Sequence, residues 1–322
     1  MESSQDLVQG LTLAGAFLDE VVLQPESFFN QVTARTSIAG AKVFMNCNPS
    51  SPYSPFYQNV LKKLKEKNGT YIHFSMDDNL TLSESVKERY KTMYSGVFYR
   101  RYILGEWCVA EGLIYDMFSD EENIVSPEEI PYNKITKWCI GVDYGTANST
   151  VFTLGGRDAD GNIWVCKEYY FAGREEARQN NDYEAQKTDM EFTEDMRNFI
   201  EENKSITGLG YRDIEIMIDP AAASFKLQLR RFHMKAKNAE NSVLDGIRTV
   251  ASFIGSRRMK ISSECTELIK EMHTYSWDPK KGAMGIDAPI KANDHCEDSL
   301  RYLTMRLKDK HKVTNVARNV GW

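Results

Sequence analysis

Four side chains in the second half of the sequence have types and spacings that suit chemistry at phosphate. Asp143 closes the apolar run Trp138 to Val142, Asp219 closes the run IEIMID, and Asp298 lies within NDHCEDSLRY, three residues after His295. On a helix that spacing puts His295 and Asp298 on one face. If the first and fourth strands of this half are neighbours in a sheet, their carboxyl ends lie side by side and Asp143 and Asp219 converge. A helix packed across that end brings Asp298 to them. Carboxylates gathered in this way repel one another unless a cation compensates, and hard oxygen ligands suit Mg²⁺ or Mn²⁺. Two such ions roughly 3.5–4 Å apart can activate water and stabilise the leaving oxygen of a phosphodiester. Taken singly, each aspartate is more often a turn former or helix cap, and His295 more often a packing or surface histidine, so the case rests on their joint arrangement. His73, His233, His273 and His311 show no ligand spacing.

The elements that must hold these residues follow from hydropathy. Trp138–Val142, Thr150–Leu154 and Ile163–Tyr170 read as strands, the last two joined by the turn RDADGN into an antiparallel meander. Tyr183–Asn203 reads as a long polar helix and Ile214–Ile218 as a buried strand. Helices follow at about Ala222–Phe232, Val243–Gly255 and Thr266–Trp277, with a short strand Met259–Ser262 between the last two. Asn293–Lys308 is the final helix. A meander followed by alternating helices and strands fits a mixed α/β sheet flanked by helices. Upstream, Leu11–Leu23 (LTLAGAFLDEVVL) reads as a buried parallel strand ending at Asp19 and Glu20. Glu26–Arg35 is helical, Ala41–Met45 a second strand, NCNPSSPYSPFY a loop, Tyr57–Lys67 helical, Gly69–Phe74 a strand and Leu82–Leu104 helical. The acidic, proline-containing stretch SDEENIVSPEEIPY lacks periodicity and reads as a linker. The expected organisation is a first domain over 1–118, a linker over 119–134 and a second domain over 135–322.

At 322 residues with 42% hydrophobic side chains, the chain can bury a sizeable core. The net charge of −6 excludes a strongly basic overall footprint, so a polyanion site must be local or supplied by metal. The six cysteines, Cys47, Cys108, Cys139, Cys166, Cys265 and Cys296, form no CxxC pair and read as reduced structural thiols of a cytoplasmic protein. No apolar run reaches the length of a membrane span.

VDYG, MIDPAAASF and HCEDSLRY together resemble the ribonuclease-H-like nuclease domain of phage large terminases, over roughly Lys137–Lys308. The resemblance implies that Asp143, Asp219 and Asp298 bind two divalent ions and cleave concatemeric double-stranded DNA, with His295 beside them as ligand or proton shuttle. The first half resembles the same family independently. LTLAGAFLDEV is similar to a Walker B strand, with Asp19 for Mg²⁺ and Glu20 as catalytic base. FMNCNPSSPYSPFY is similar to the coupling motif, with Asn46 and Asn48 as γ-phosphate sensors. HFSMDDNLTLS and FYRRYILGEWCVAEGLIYDMF resemble segments that close such an ATPase domain. The implied fold is a ribonuclease-H-like mixed sheet preceded by a partial P-loop-type ATPase α/β domain. The implied partners are double-stranded DNA, a small terminase subunit and a portal protein, in the host bacterial cytoplasm with transient docking at the procapsid portal.

One departure stands out: no GxxxxGK(S/T) occurs anywhere in the sequence, and ATP phosphates need that backbone nest and its lysine. The expectation is therefore a truncated chain, as an expressed piece, a split gene or a fragmentary frame. Its ATPase activity is absent or incomplete, and ATP binds only if a P-loop is supplied upstream. A truncated first half would leave apolar surface exposed, with Phe17, Phe28 and Phe29 as candidates. The alternatives are a non-catalytic fragment or a resolvase-like nuclease of the same fold. Four basic groups offer phosphate contacts or simple solvated faces: Arg230–Arg231 with Lys235 and Lys237, Arg257–Arg258 with Lys260, Lys280–Lys281, and the tail KDKHKVTNVAR. Lys280–Lys281–Gly282 reads as a turn, the tip of a β-hairpin over the acidic residues.

Overall fold

The computed structural model describes residues 8–145, 149–172 and 187–308. It divides into two units: Met1–Met117 with Thr274–Ala292, and Phe118–His273 with Asn293–Trp322. The contiguous second domain expected over 135–322 is therefore interrupted, because residues 274–292 pack with the first unit.

In the first unit, β1 (Gly15–Leu18) pairs in parallel with β2 (Lys42–Met45). Only these four residues of the LTLAGAFLDEVVL run form a strand; the chain then turns and Val21–Leu23 makes a 3₁₀ turn. Helix α1 (Glu26–Arg35) starts after Pro25, carries Glu26 in its first turn and Arg35 in its last, charges that complement its dipole. Its Phe29 and Val32 pack with Leu18, Val21 and Val60 into a small core. Phe29 is thus buried, and Phe28 packs partly against it. Of the three expected candidates Phe17 is exposed, and so is its register partner on the neighbouring strand, Phe44, at 66% and 61%. Tyr57–Leu61 forms a π-helical turn rather than the start of a long helix. Gly69–Phe74 forms no strand among the described residues. Helices α2 (Glu84–Met93) and α3 (Gly96–Tyr102) replace the single expected helix.

The returning segment closes onto this unit by backbone bonds from Ile114 N to Tyr275 O (2.8 Å) and Trp277 N to Gly112 O (3.0 Å). Trp277 and Pro289 pair in an antiparallel bridge. The tip between them is a short helix, since Asp278 accepts hydrogen bonds from the backbone N–H groups of Lys280 and Lys281. Those lysines sit in its first turn rather than in a hairpin turn. The buried Arg101 guanidinium pairs with Asp287 and donates to the Cys108 carbonyl.

Among the described residues, the second unit is built on a mixed sheet of seven strands. In sequence they are β3 (Ile124–Val125), β4 (Ile135–Asp143), β5 (Thr150–Asp158), β6 (Ile163–Phe171), β7 (Glu215–Ile218), β8 (Lys235–Asn238) and β9 (Met259–Ser262). Their spatial order is β3-β9-β6-β5-β4-β7-β8, with β4–β5–β6 antiparallel and β4–β7–β8 and β6–β9–β3 parallel. The stretch expected as a linker thus supplies an edge strand, β3, preceded by helix α4 (Asp120–Asn123). β4 and β5 are buried almost throughout, which is why their sequences run apolar without alternation. On one face, helices α5 (Asp189–Glu202) and α7 (Ala223–Arg231) cover Ile140, Phe152 and Ile216 through Phe192, Met196 and Phe225; α6 (Lys204–Thr207) is a short turn between them. Against the other face lies α11 (His295–Leu307), packed on β4, β5 and α8 (Val243–Gly255). It is buried almost all round, so it carries no polar stripe. Helix α9 (Thr266–Met272) ends five residues before the expected limit at Trp277, and α10 (Pro279–Ala283) is the tip helix of the first unit. All six cysteines are free thiols.

Candidate active site

The strand ends place the acidic residues. β4 and β7 are parallel neighbours paired as far as Val142 with Ile218, and Asp143 and Asp219 each follow one residue later. α11 reaches this end because Gly141 lets it come close: a Cβ there would lie 2.1 Å from the Ser299 carbonyl oxygen. Ser299 also donates to the Gly141 carbonyl at 3.0 Å and shares a 2.8 Å hydrogen bond with the Thr153 hydroxyl. The first turn of α11 thereby presents His295 and Asp298.

His295 Nδ1 lies 2.8 Å from Asp143 Oδ2. Burial pushes the Asp143 carboxyl above its usual range, and the charges of Asp298 and Asp294 add to this against the pull of His295. His295 is raised in turn, chiefly by its hydrogen bond to Asp143. Tyr302 Oη donates to Asp219 Oδ2 at 2.8 Å, and the Ala221 N–H holds the other oxygen at 2.7 Å. Asp298 is paired with Arg301, whose side chain is almost wholly buried. The Tyr302 hydroxyl is raised first by burial, then by Asp298, Asp219 and Asp143, so all three carboxylates act on one phenol.

Two further acids lie behind this centre. Glu271 Oε2 accepts the N–H groups of Cys296 (2.8 Å) and Glu297 (3.1 Å), and burial raises its carboxyl to about 7. Glu297 is fully buried, its oxygens have no hydrogen-bond partner among the described residues, and its carboxyl is held well above the usual range by burial and by Glu271. Tyr302, Arg301 and Glu271 are absent from the sequence expectation. Tyr302 follows His295 by seven residues and Asp298 by four, a same-face spacing that marks it; nothing local marks Glu271.

The donor set fits a hard divalent cation in kind, being carboxylate oxygens, and in electrostatics, since the charges of Asp298 and Asp294 act on Asp143. As placed, however, no group of three or more His, Cys, Asp or Glu among the described residues encloses a metal position. Each expected ligand is turned onto a protein donor instead: Asp143 onto His295, Asp219 onto Tyr302, Asp298 onto Arg301.

Several expected phosphate contacts are engaged within the protein. Arg230 donates to the Ala236 carbonyl, Arg257 pairs with Glu122, Arg258 donates to the Gly161 carbonyl and Lys237 pairs with Glu215. Arg231 is exposed at the end of α7. Lys308, the first residue of the tail cluster, pairs with Glu240; the rest of that cluster lies outside the described residues.

In the first unit, Glu20 adopts a left-handed conformation (φ 48°, ψ 48°), sparsely populated for a side-chain-bearing residue. Asn46 fixes that turn: its Oδ1 accepts the Glu20 N–H at 2.9 Å and its carbonyl accepts the Val21 N–H at 3.0 Å. Asn48 Nδ2 donates to Glu20 Oε1 at 3.1 Å. Asp19, beside them, is exposed. Glu20 and the loop after β2 therefore form one hydrogen-bonded group, with Asp19 next to it in sequence.

A chain with a strand-end acid–amide group in one α/β unit and a carboxylate–histidine group in another is similar to one class of known proteins. No family model matches the chain. The large terminase of the thermophilic bacteriophage D6E superposes with a TM-score of 0.86 at 46% identity, covering 96% of this chain and 72% of that one. Its structure in complex with ADP gives 0.83 at 47%, covering 94% and 71%. The large terminase subunit of Escherichia phage T5 is 23% identical over 244 residues, 73% of this chain. The chain spans about half the length of that curated relative (51%). The chain belongs to the large terminase family of bacteriophages. That the D6E protein was solved with ADP gives no support to the expectation that ATPase activity is absent or incomplete in this chain.

Proposed function

We propose that the second unit is a metal-dependent endonuclease that cleaves double-stranded concatemeric viral DNA during genome packaging. The observation that supports this most is the convergence of three elements at one sheet end. Asp143 and Asp219 lie on adjacent parallel strand ends, and α11 carries His295 into hydrogen-bond contact with Asp143. In this reading Asp143, Asp219 and Asp298 hold two divalent ions, Mg²⁺ or Mn²⁺. Bound there, the ions supply an activated water and charge stabilisation for the leaving oxygen. The chain's own residues do the rest. Tyr302 and the Ala221 N–H orient the two oxygens of Asp219. Arg301 holds Asp298. His295 holds Asp143 and is placed to move a proton at Nε2. Cleavage depends weakly on sequence, since the reading includes no base-reading element.

The first unit, in the same reading, brings Asp19, Glu20, Asn46 and Asn48 to nucleotide hydrolysis. These act with a phosphate-binding loop that the 322 residues do not contain. The partners are double-stranded DNA, a small terminase subunit and the portal, met in the host cytoplasm. Among the described residues no helix is long and apolar enough to cross a membrane.

The test is cleavage of supercoiled plasmid with Mn²⁺, Mg²⁺ or EDTA, comparing the wild-type chain with Asp143→Ala. Metal-dependent cutting that disappears in the variant supports the reading. Equal cutting by both proteins, or none by folded wild type with either metal, overturns it in favour of acids that serve structure alone.

A further inference from the structure

We propose that Glu271 is a positioning residue of the acidic centre: it replaces the missing N-cap of α11 and so fixes where His295 and Asp298 stand. The inference rests on the metal-dependent reading given above and deepens it.

A helix begins with N–H groups that have no partner inside the helix, and the N-cap side chain ordinarily accepts those of the second and third residues. α11 starts after Asp294, which makes no side-chain cap bond. The second and third residues of α11 are Cys296 and Glu297, and both of their N–H groups go to one oxygen, Oε2 of Glu271. This carboxylate comes from the last turn of α9, a different element. Glu271 is only 6% exposed, so water does not replace it. The chain just before α11 turns sharply, with Asn293 in the left-handed region (φ 51°).

α9 is itself anchored in the same manner. Glu168 on β6 accepts the N–H groups of Glu267 (2.8 Å) and Leu268 (3.0 Å) in the first turn of α9. Two glutamates thus link the sheet to α9 and α9 to α11. Of the residues they orient, His295 is the first of α11 and meets Asp143, while Asp298 lies one turn on. Displacing a supporting group of this kind typically weakens metal binding by about 10–100-fold.

The experiment uses the full chain with Glu271→Met, which fills the space without an acceptor, and Glu271→Gln, whose amide oxygen can accept both N–H groups. Wild type and Asp143→Ala are the references. Mn²⁺ binding is read by electron paramagnetic resonance and amide exchange at Cys296 and Glu297 is read without metal. The expected result is Mn²⁺ affinity about 10–100-fold lower in E271M and within about twofold of wild type in E271Q. Exchange should be fast in E271M and protected in E271Q. Wild-type affinity in E271M, or E271Q as weak as E271M, overturns the proposal. Equal protection of the two amides in both variants overturns it even where no Mn²⁺ binds. Loss of the cooperative melt in E271M overturns it in favour of a purely structural role. If wild type and D143A bind Mn²⁺ alike, the metal reading itself fails, and the exchange result still decides whether Glu271 caps α11.

Discussion

His295 Nδ1 meets Asp143 Oδ2 at 2.8 Å across 152 positions of sequence. The pair joins the first residue of α11 to the last residue of β4, so the helix is docked by side-chain chemistry at the point where the acids gather. His295→Ala removes the donor and leaves a half-buried carboxylate among negative neighbours. Plasmid cleavage should fall by about 10–100-fold, with Mn²⁺ binding weakened in parallel. Unchanged cleavage rates would separate this contact from the chemistry.

Tyr302→Phe keeps the ring in the core and removes only the hydroxyl that holds Asp219. Thermal unfolding should show a loss of about 1 kcal/mol. Calorimetric Mn²⁺ titration should show weaker binding, because one Asp219 oxygen then lacks its donor. Wild-type affinity in this variant would mean that the Ala221 N–H alone orients the carboxylate.

Gly141→Ala tests the close approach of α11 to β4. The added methyl would meet backbone, the Ser299 carbonyl, which cannot rotate away. We expect a destabilisation of about 3 kcal/mol in denaturant unfolding, together with loss of cleavage as α11 is pushed off the strand ends.

The pH dependence of stability should carry the mark of Glu271. Its folded value, about 7, lies above the ordinary carboxyl value of 4.5, so it weakens the fold when it ionises. Its contribution is most favourable below about 4.5 and is lost as pH rises through about 7. Glu271→Gln cannot ionise. The variant should match wild type near pH 4.5 and exceed it above pH 7 by about 3 kcal/mol, measured by urea unfolding across pH. A gap that widens toward acid would contradict the assignment.

In the first unit, Arg101→Met should be severe. The Arg101 and Asp287 side chains are 6% and 7% exposed, and removing one partner of a buried pair typically costs about 3–5 kcal/mol. Hydrogen exchange should show the loss confined to residues 8–117 and 274–292, while β4 and β5 keep their protection.

Much of this was legible from apolar runs and their ends. Strands buried on both faces read as continuous hydrophobic stretches, and acids that close them fall at sheet ends, which is how Asp143 and Asp219 could be paired before any fold was known. Tyr302 was also legible, by helical spacing from His295, but a tyrosine in a buried helix reads as core. Glu271 was not, because its partners lie 25 and 26 residues away and a surface glutamate looks the same locally. Gly69–Phe74 failed for the opposite reason. Its residues favour a strand, yet Ile72 and Phe74 stay exposed and no neighbour among the described residues supplies a ladder. The expected linker also misled, since polarity hid an edge strand of only two residues.

The return of residues 274–292 to the first unit bears on how such a protein can be inherited. The chain passes from one unit to the other at 117–118, again at 273–274 and once more at 292–293. No single cut in the gene separates the units. A recombination that exchanged the upstream half alone would bring in a foreign Arg101 environment opposite a resident Asp287. The two halves are therefore expected to travel between genomes together, or to be exchanged only where both sides of that buried ion pair change hands.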